Sequence, residues 1–65
     1  MNYQVRIWIG VDSEGEDIWN ICYTGADKYK AISVYVDITE ENPNLKAVVV
    51  ENDTIILEKG KKGDD

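Results

Sequence analysis

Apolar and polar side chains alternate over the first nine residues. The odd positions carry large apolar side chains: Tyr3, Val5, Ile7 and Ile9. Gln4, Arg6 and Trp8 lie between them. A period of two is typical of a strand with one buried face, because successive side chains point to opposite sides. Residues 12–15 form a polar turn, and a second β-rich run at 18–23 completes a predicted antiparallel hairpin.

The period changes to that of a helix over residues 25–41. The side chains expected to face the sheet recur at spacings of three and four: Tyr29, Ile32, Tyr35, Val36 and Thr39. We expect Thr24 to be the N-cap, with Asp27 in the place of a capping-box acid. The helix should end at Asn42, because a residue before proline is disfavoured in the helical region.

Two further β-branched runs follow at residues 45–50 and 54–57. Asn52 and Asp53 between them tolerate the positive φ angles of a tight turn. The order predicts an α+β domain of ββαββ type over residues 1–58, with a four-stranded, mostly antiparallel sheet and one helix packed on one face. Residues 59–65 contain no apolar side chain and are predicted to form a disordered tail.

One helix can cover only one face of such a sheet, so the other face would expose an apolar patch. Strand parity assigns five residues to that patch as a dimer interface: Trp8, Ile18, Val48, Val50 and Ile56. Parity also places Trp19, Ile21 and Tyr23 on one side of the second strand; if they join the face of Val5, Ile18 and Cys22 lie beside Trp8. A 65-residue chain with one cysteine and no histidine has neither an internal disulfide nor the usual zinc ligands, so a homodimer is the expected support. A monomer that keeps the patch for a foreign partner is the alternative.

Thirteen acidic side chains against seven basic ones give a net charge of −6, which disfavours direct nucleic-acid binding. A basic protein partner fits this charge better. The candidate partner-binding carboxylates lie near the first turn and near the end of the predicted helix: Asp12, Glu14, Glu16, Asp17, Asp37, Glu40 and Glu41. Charge complementarity would make binding to them sensitive to salt.

Other candidate chemistry favours structural roles. The acids around Gly15 resemble a calcium loop, but Tyr23 stands where an EF-hand needs a bidentate acid. Cys22 has no histidine in the chain to activate it, and most aromatic side chains are expected in the core. We therefore expect no enzyme activity, cofactor or metal. The single cysteine and the absence of a signal-like or membrane-spanning run predict a cytoplasmic protein without membrane contact.

The overall layout, with residues 23–32 and Glu41-Asn42-Pro43-Asn44, resembles small accessory proteins encoded by bacteriophages and mobile elements. The resemblance covers residues 3–58 in style. It implies a protein that binds and disables a host factor in defence or DNA processing, without a catalytic residue. The alternative is a structural or assembly subunit that acts through its own homo-oligomer.

Overall fold

A computed structural model describes residues 1–62 of the chain. It contains four strands and one helix: β1 (Tyr3–Val11), β2 (Asp17–Gly25), α1 (Lys28–Glu41), β3 (Ala47–Glu51) and β4 (Thr54–Lys59). The strands form one sheet in the order β2-β1-β3-β4, and every neighbouring pair is antiparallel. The helix contacts β1, β2 and β3 from one side. The predicted α+β fold of ββαββ type is confirmed.

The core lies between α1 and the two central strands. Val5 pairs with Tyr23 of β2 and Val49 of β3, and Tyr35 and Ala31 approach from the helix. Val5, Ala31 and Val49 are fully buried. Ala31 has almost no side chain, so the helix can approach the sheet closely at this position.

The helix begins three residues later than expected. Thr24 belongs to β2, where it pairs with Gln4, so the N-cap assigned to Thr24 is wrong. Asp27 is the N-cap: its Oδ1 accepts hydrogen bonds from the backbone N–H of Tyr29 at 3.0 Å and of Lys30 at 3.1 Å. The predicted end is confirmed, because Asn42 is the C-cap and its backbone N–H donates to Ile38 O.

The helix is also rotated relative to the expected stripe. Tyr35 and Thr39 are buried as predicted, but Tyr29 is 82% exposed and Val36 is 40% exposed. The partly buried Val34 and Ile38 pack against the core instead. The buried side of the helix is centred on Ala31, which the expected stripe did not include. The observed stripe is therefore rotated around the helix axis relative to the predicted one.

Irregular register in both hairpins changes which side chains share a face. Val5 pairs with Tyr23, but Arg6 pairs with Ile21, so Cys22 is an extra residue in β2. Tyr23 therefore shares a face with Val5, while Ile21 lies opposite Arg6 on the other face. The prediction that Trp19, Ile21 and Tyr23 share one face is wrong, because a bulge reverses the parity of the strand.

The chain keeps making contacts beyond the expected domain boundary at residue 58. Strand β4 runs to Lys59, Lys61 forms an isolated bridge with Leu45, and Lys62 pairs with Asp17. Gly60 has a φ of 85°, and a side chain there would collide with the backbone of Leu45. Four residues of the predicted tail thus belong to the described fold, and residues 63–65 lie outside the described residues.

Candidate functional site

The direction of α1 places the candidate acids at one end of the molecule. The helix starts after Gly25, which pairs with Tyr3, and leads to Ala47, which pairs with Ile7. Its 14 residues span about 21 Å along the sheet. The C-terminus of α1 and the β1–β2 loop therefore lie at the same end of the molecule. We call this the acidic end, and it comprises Asp12, Glu14, Glu16, Asp17, Asp37, Glu40 and Glu41.

Asp12 shapes the loop of the acidic end. Its Oδ1 accepts hydrogen bonds from the backbone N–H of Glu14 at 2.8 Å and of Glu16 at 3.0 Å. Gly15 supplies the positive φ of 82° that lets the chain turn. Side-chain bonds of this kind replace the backbone partners that a loop lacks. Asp12 thus stabilises the loop that displays Glu14 and Glu16.

Asp17 has partners within the chain. Its Oδ1 accepts a hydrogen bond from Trp8 Nε1 at 3.0 Å, and its Oδ2 pairs with Lys62 Nζ. The hydrogen bonds from Lys62 and then Trp8 lower the pKa of Asp17. Lys62 also lies 5.7 Å from the centre of the Trp19 ring. Asp17 is therefore the least available carboxylate of the acidic end.

The acids near the C-terminus of α1 do not stabilise the helix. Asp37, Glu40 and Glu41 are exposed, and the last turn contains no basic residue. Carboxylates near a helix C-terminus face the negative end of the helix dipole, which is an unfavourable position. None of the three side chains has an ion-pair or hydrogen-bond partner within residues 1–62. Their placement is thus costly to the helix and leaves them open to a partner.

The sheet face opposite the helix, which we call the uncovered face, differs from the expected apolar patch. Trp8 is half-buried, and Val48 and Val50 are only 2% and 4% exposed. Ile18 is 39% exposed, but its assignment to this face is wrong. Trp19 pairs with Trp8 on the uncovered face, so the next residue, Ile18, which pairs with Gly10, lies on the helix side of the sheet. Val48 lies between Arg6 and Glu58 in the register. Longer polar side chains on both sides therefore leave the valine little open surface. Val50 is similarly covered between Gln4 and Ile55. Both valines therefore offer little surface to an interface unless the flanking side chains move.

Ile56 is not on the uncovered face. It packs against the core cluster on the helix side, because the register shifts between Val49 and Val50 and makes Ile56 an extra residue in β4. Ile55, which pairs with Val50, takes the outward position and is 51% exposed. The assignment of Ile56 to the expected interface is therefore wrong, because the bulge moves this residue to the helix side.

Sequence reasoning missed a small polar cleft at the far end of the uncovered face. It has a volume of about 280 Å³ and is lined by residues from β1, the residue before it, β3 and the β3–β4 turn: Asn2, Gln4, Arg6, Val50, Asn52 and Asp53. Arg6 lies on this face because it pairs with Val48 and Ile21. The signal in the sequence was a single arginine among the apolar residues of a strand, but strand order was needed to place the turn beside it.

The remaining candidates bring no further chemistry together. Cys22 is exposed, and its Sγ lies 3.9 Å from Asn20 Nδ2. In the part of the chain that the structure describes, no three carboxylate or thiol side chains are grouped closely enough to hold a metal ion. Across residues 1–62, α1 is too short to cross a membrane.

Comparison of the chain with protein-family models, with curated proteins and with solved structures found no match.

Proposed function

We propose that this chain is a non-catalytic protein-binding module that occupies a basic surface of its partner with the acidic end. The observation that carries the proposal is that the β1–β2 loop and the C-terminus of α1 lie at the same end of the sheet. Several carboxylates on one surface attract a basic partner at long range and suppress binding to acidic ones. On the resemblance to phage accessory proteins, the partner is a host factor in defence or DNA processing, and the module inhibits it.

Five side chains of the acidic end carry the expected binding: Glu14, Glu16, Asp37, Glu40 and Glu41. All five are exposed, and none has an ion-pair or hydrogen-bond partner among the side chains of residues 1–62. Asp12 and Asp17 support them by shaping the loop and by holding Lys62. A partner would therefore meet carboxylates whose charge is not already compensated.

Nearby lysines do not remove this charge. Lys62 pairs with Asp17, and Lys46 pairs with Glu58 at 2.7 Å. Lys59 and Lys61 are exposed near the same end, since Lys59 pairs with Ala47 and Lys61 bridges Leu45. Two unpaired lysines against five unpaired acids leave the surface negative.

The test is capture of a host protein at low salt, followed by affinity measurements with single charge variants. Glu14→Gln and Glu41→Gln should each weaken binding, and the double variant should weaken it further. Asp53→Asn makes the same change in charge at the opposite end and is the matched control. Binding should also weaken as salt rises, because the screening length is about 10 Å at 0.1 M. Equal effects of all three variants, or affinity that is flat with salt, would contradict the proposal.

A second function, a structural or assembly subunit acting as a homodimer, is favoured by apolar side chains that stay exposed on the outer strands. Ile21 and Ile55 are each 51% exposed, and both pair with residues of the uncovered face. Light scattering during size-exclusion chromatography tests this function. A mass near 7.4 kDa at micromolar concentration contradicts an obligate dimer. If a dimer is found, Trp8→Glu should dissociate or aggregate it.

A further inference from the structure

Arg6 is the only arginine of the chain, and it lies half-buried in the middle of the sheet. Its neighbours across the strands are Ile21 and Val48, which offer no charge. A cation that is partly removed from water normally has an acidic partner. Within residues 1–62, no carboxylate forms an ion pair with Arg6, although the chain has nearly twice as many acids as bases.

The hydrogen bonds of Arg6 leave one edge of its guanidinium free. Nε donates to Gln4 Oε1 at 2.8 Å, and Nη2 donates to the same oxygen. Gln4 therefore occupies the edge formed by Nε and Nη2 and fixes the plane of the group. No described residue accepts a hydrogen bond from Nη1, so the edge formed by Nη1 and Nη2 keeps its donors.

The polar cleft adjoins this arginine. At about 280 Å³ it has room for a ligand of the size of an amino acid. Val50 contributes an apolar wall, and Asn2 and Asn52 contribute amides. Among residues 1–62, Asp53 is the only other ionisable side chain that lines it. The cleft therefore combines one cation, one anion and neutral hydrogen-bonding groups.

We propose that this cleft binds a carboxylate, which the Nη1 and Nη2 edge of Arg6 holds in a bidentate arrangement. The two oxygens of a carboxylate match the spacing of two guanidinium donors, and a charged pair of this kind is stronger than a neutral hydrogen bond. A phosphate fits less well, because its second negative charge would meet Asp53 and the net charge of −6. Gln4 is a positioning residue, since it orients Arg6 without occupying the free edge.

The carboxylate site is separate from the acidic end. Asn2, Asn52 and Asp53 lie where β1 begins and β3 ends, whereas the acidic end lies at the other end of β1, which ends at Val11. The two surfaces also have opposite requirements, since one attracts a basic partner and the other an acidic group. The carboxylate can come from a free small acid or from the C-terminal residue of a polypeptide, which present the same group to Arg6.

The test is NMR titration that observes the Arg6 Nε–H signal and the backbone amides. Acetate and N-acetylglycine should shift the signals of Arg6 and Gln4, at constant ionic strength set with chloride. Acetamide, which has the same shape as acetate but no charge, should not shift them. A tetrapeptide with a free C-terminus and its C-terminally amidated form distinguish the polypeptide source. If the free peptide binds at least about tenfold more tightly than acetate, the site recognises the C-terminus of a polypeptide. Equal affinity indicates that the natural ligand is a small acid.

Three variants make the result specific. Arg6→Gln should weaken N-acetylglycine binding at least about tenfold, since it removes a bidentate charged contact. Arg6→Lys keeps the charge but not the planar edge and should also weaken binding, which covers the case in which Arg6→Gln fails to fold. Lys30→Gln makes the same charge change on the helix and should bind normally. Binding that is unchanged in the Arg6 variants, or equal shifts with acetamide, would overturn the proposal.

Discussion

The two ends of the molecule use their acids in different ways. At the end where α1 begins, Asp27 caps the helix, and Glu51 accepts a 2.9 Å hydrogen bond from the Tyr3 hydroxyl. That bond to Glu51 raises the pKa of Tyr3. At the acidic end, Asp37, Glu40 and Glu41 have no such partners among the described residues and face the unfavourable pole of the helix. Asp27 and Glu51 thus stabilise the fold, whereas the three acids at the C-terminus of α1 do not.

The largest effect should come from Tyr3, the buried aromatic side chain at the end where α1 begins. Tyr3 is 5% exposed and packs in the core, whereas Tyr29 on the helix is 82% exposed. Tyr3→Ala should lower the free energy of unfolding by about 3 kcal/mol or more, because it leaves a cavity of aromatic size. Tyr29→Ala makes the same chemical change and should alter stability by less than about 0.5 kcal/mol. Urea denaturation measures both, and similar losses would contradict the rotation assigned to the helix.

A smaller effect should separate the acids at the two ends of α1. Asp27→Ala removes the cap that satisfies two backbone N–H groups and should cost about 1 kcal/mol of stability. Asp37→Ala should leave stability unchanged or raise it by a few tenths of a kcal/mol, since alanine favours the helix and a repulsive charge is lost. Thermal unfolding of the two variants gives the comparison. A loss at Asp37 as large as that at Asp27 would show that both ends depend on their acids.

The sequence predicted the parts of this comparison that depend on local pattern. The order of elements, the end of the helix at Asn42 and the positive φ angles of Asn52 and Asp53 follow from nearby residues. The bulge at Ile56 could not be predicted, because the alternation of apolar and polar residues along one strand does not show an inserted residue until the partner strand is known. The convergence of the acids likewise required strand order and the direction of α1, and the cleft beside Arg6 required the β3–β4 turn to lie next to β1.

The smallest effect concerns Asp17, the one acid at the acidic end that has an ionic partner among the described residues. Its pKa is lowered by Lys62 and Trp8, so its contacts stabilise the fold above the pKa of the unfolded chain. This stabilisation is lost as the pH falls through the lower pKa of the folded state. Wild type should therefore be slightly more stable than Asp17→Asn at neutral pH, and the difference should disappear in acid.

Denaturation followed by tryptophan fluorescence across this pH range measures the difference, since Trp8 contacts Asp17 and Trp19 lies beside Lys62. Glu14→Gln removes a carboxylate without a described partner and should leave stability at neutral pH unchanged. A difference between wild type and Asp17→Asn that stays constant into acid would show that the ion pair does not stabilise the fold.

The most direct test of the central claim is the binding footprint of a captured partner on the chain. NMR spectra of the labelled protein, recorded with and without that partner, identify the backbone amides that change. If the acidic end is the binding surface, changes concentrate at residues 12–17 and 37–41, and they fade as salt is raised. Changes confined to β4 and the uncovered face, with residues 12–17 and 37–41 unaffected, would contradict the account.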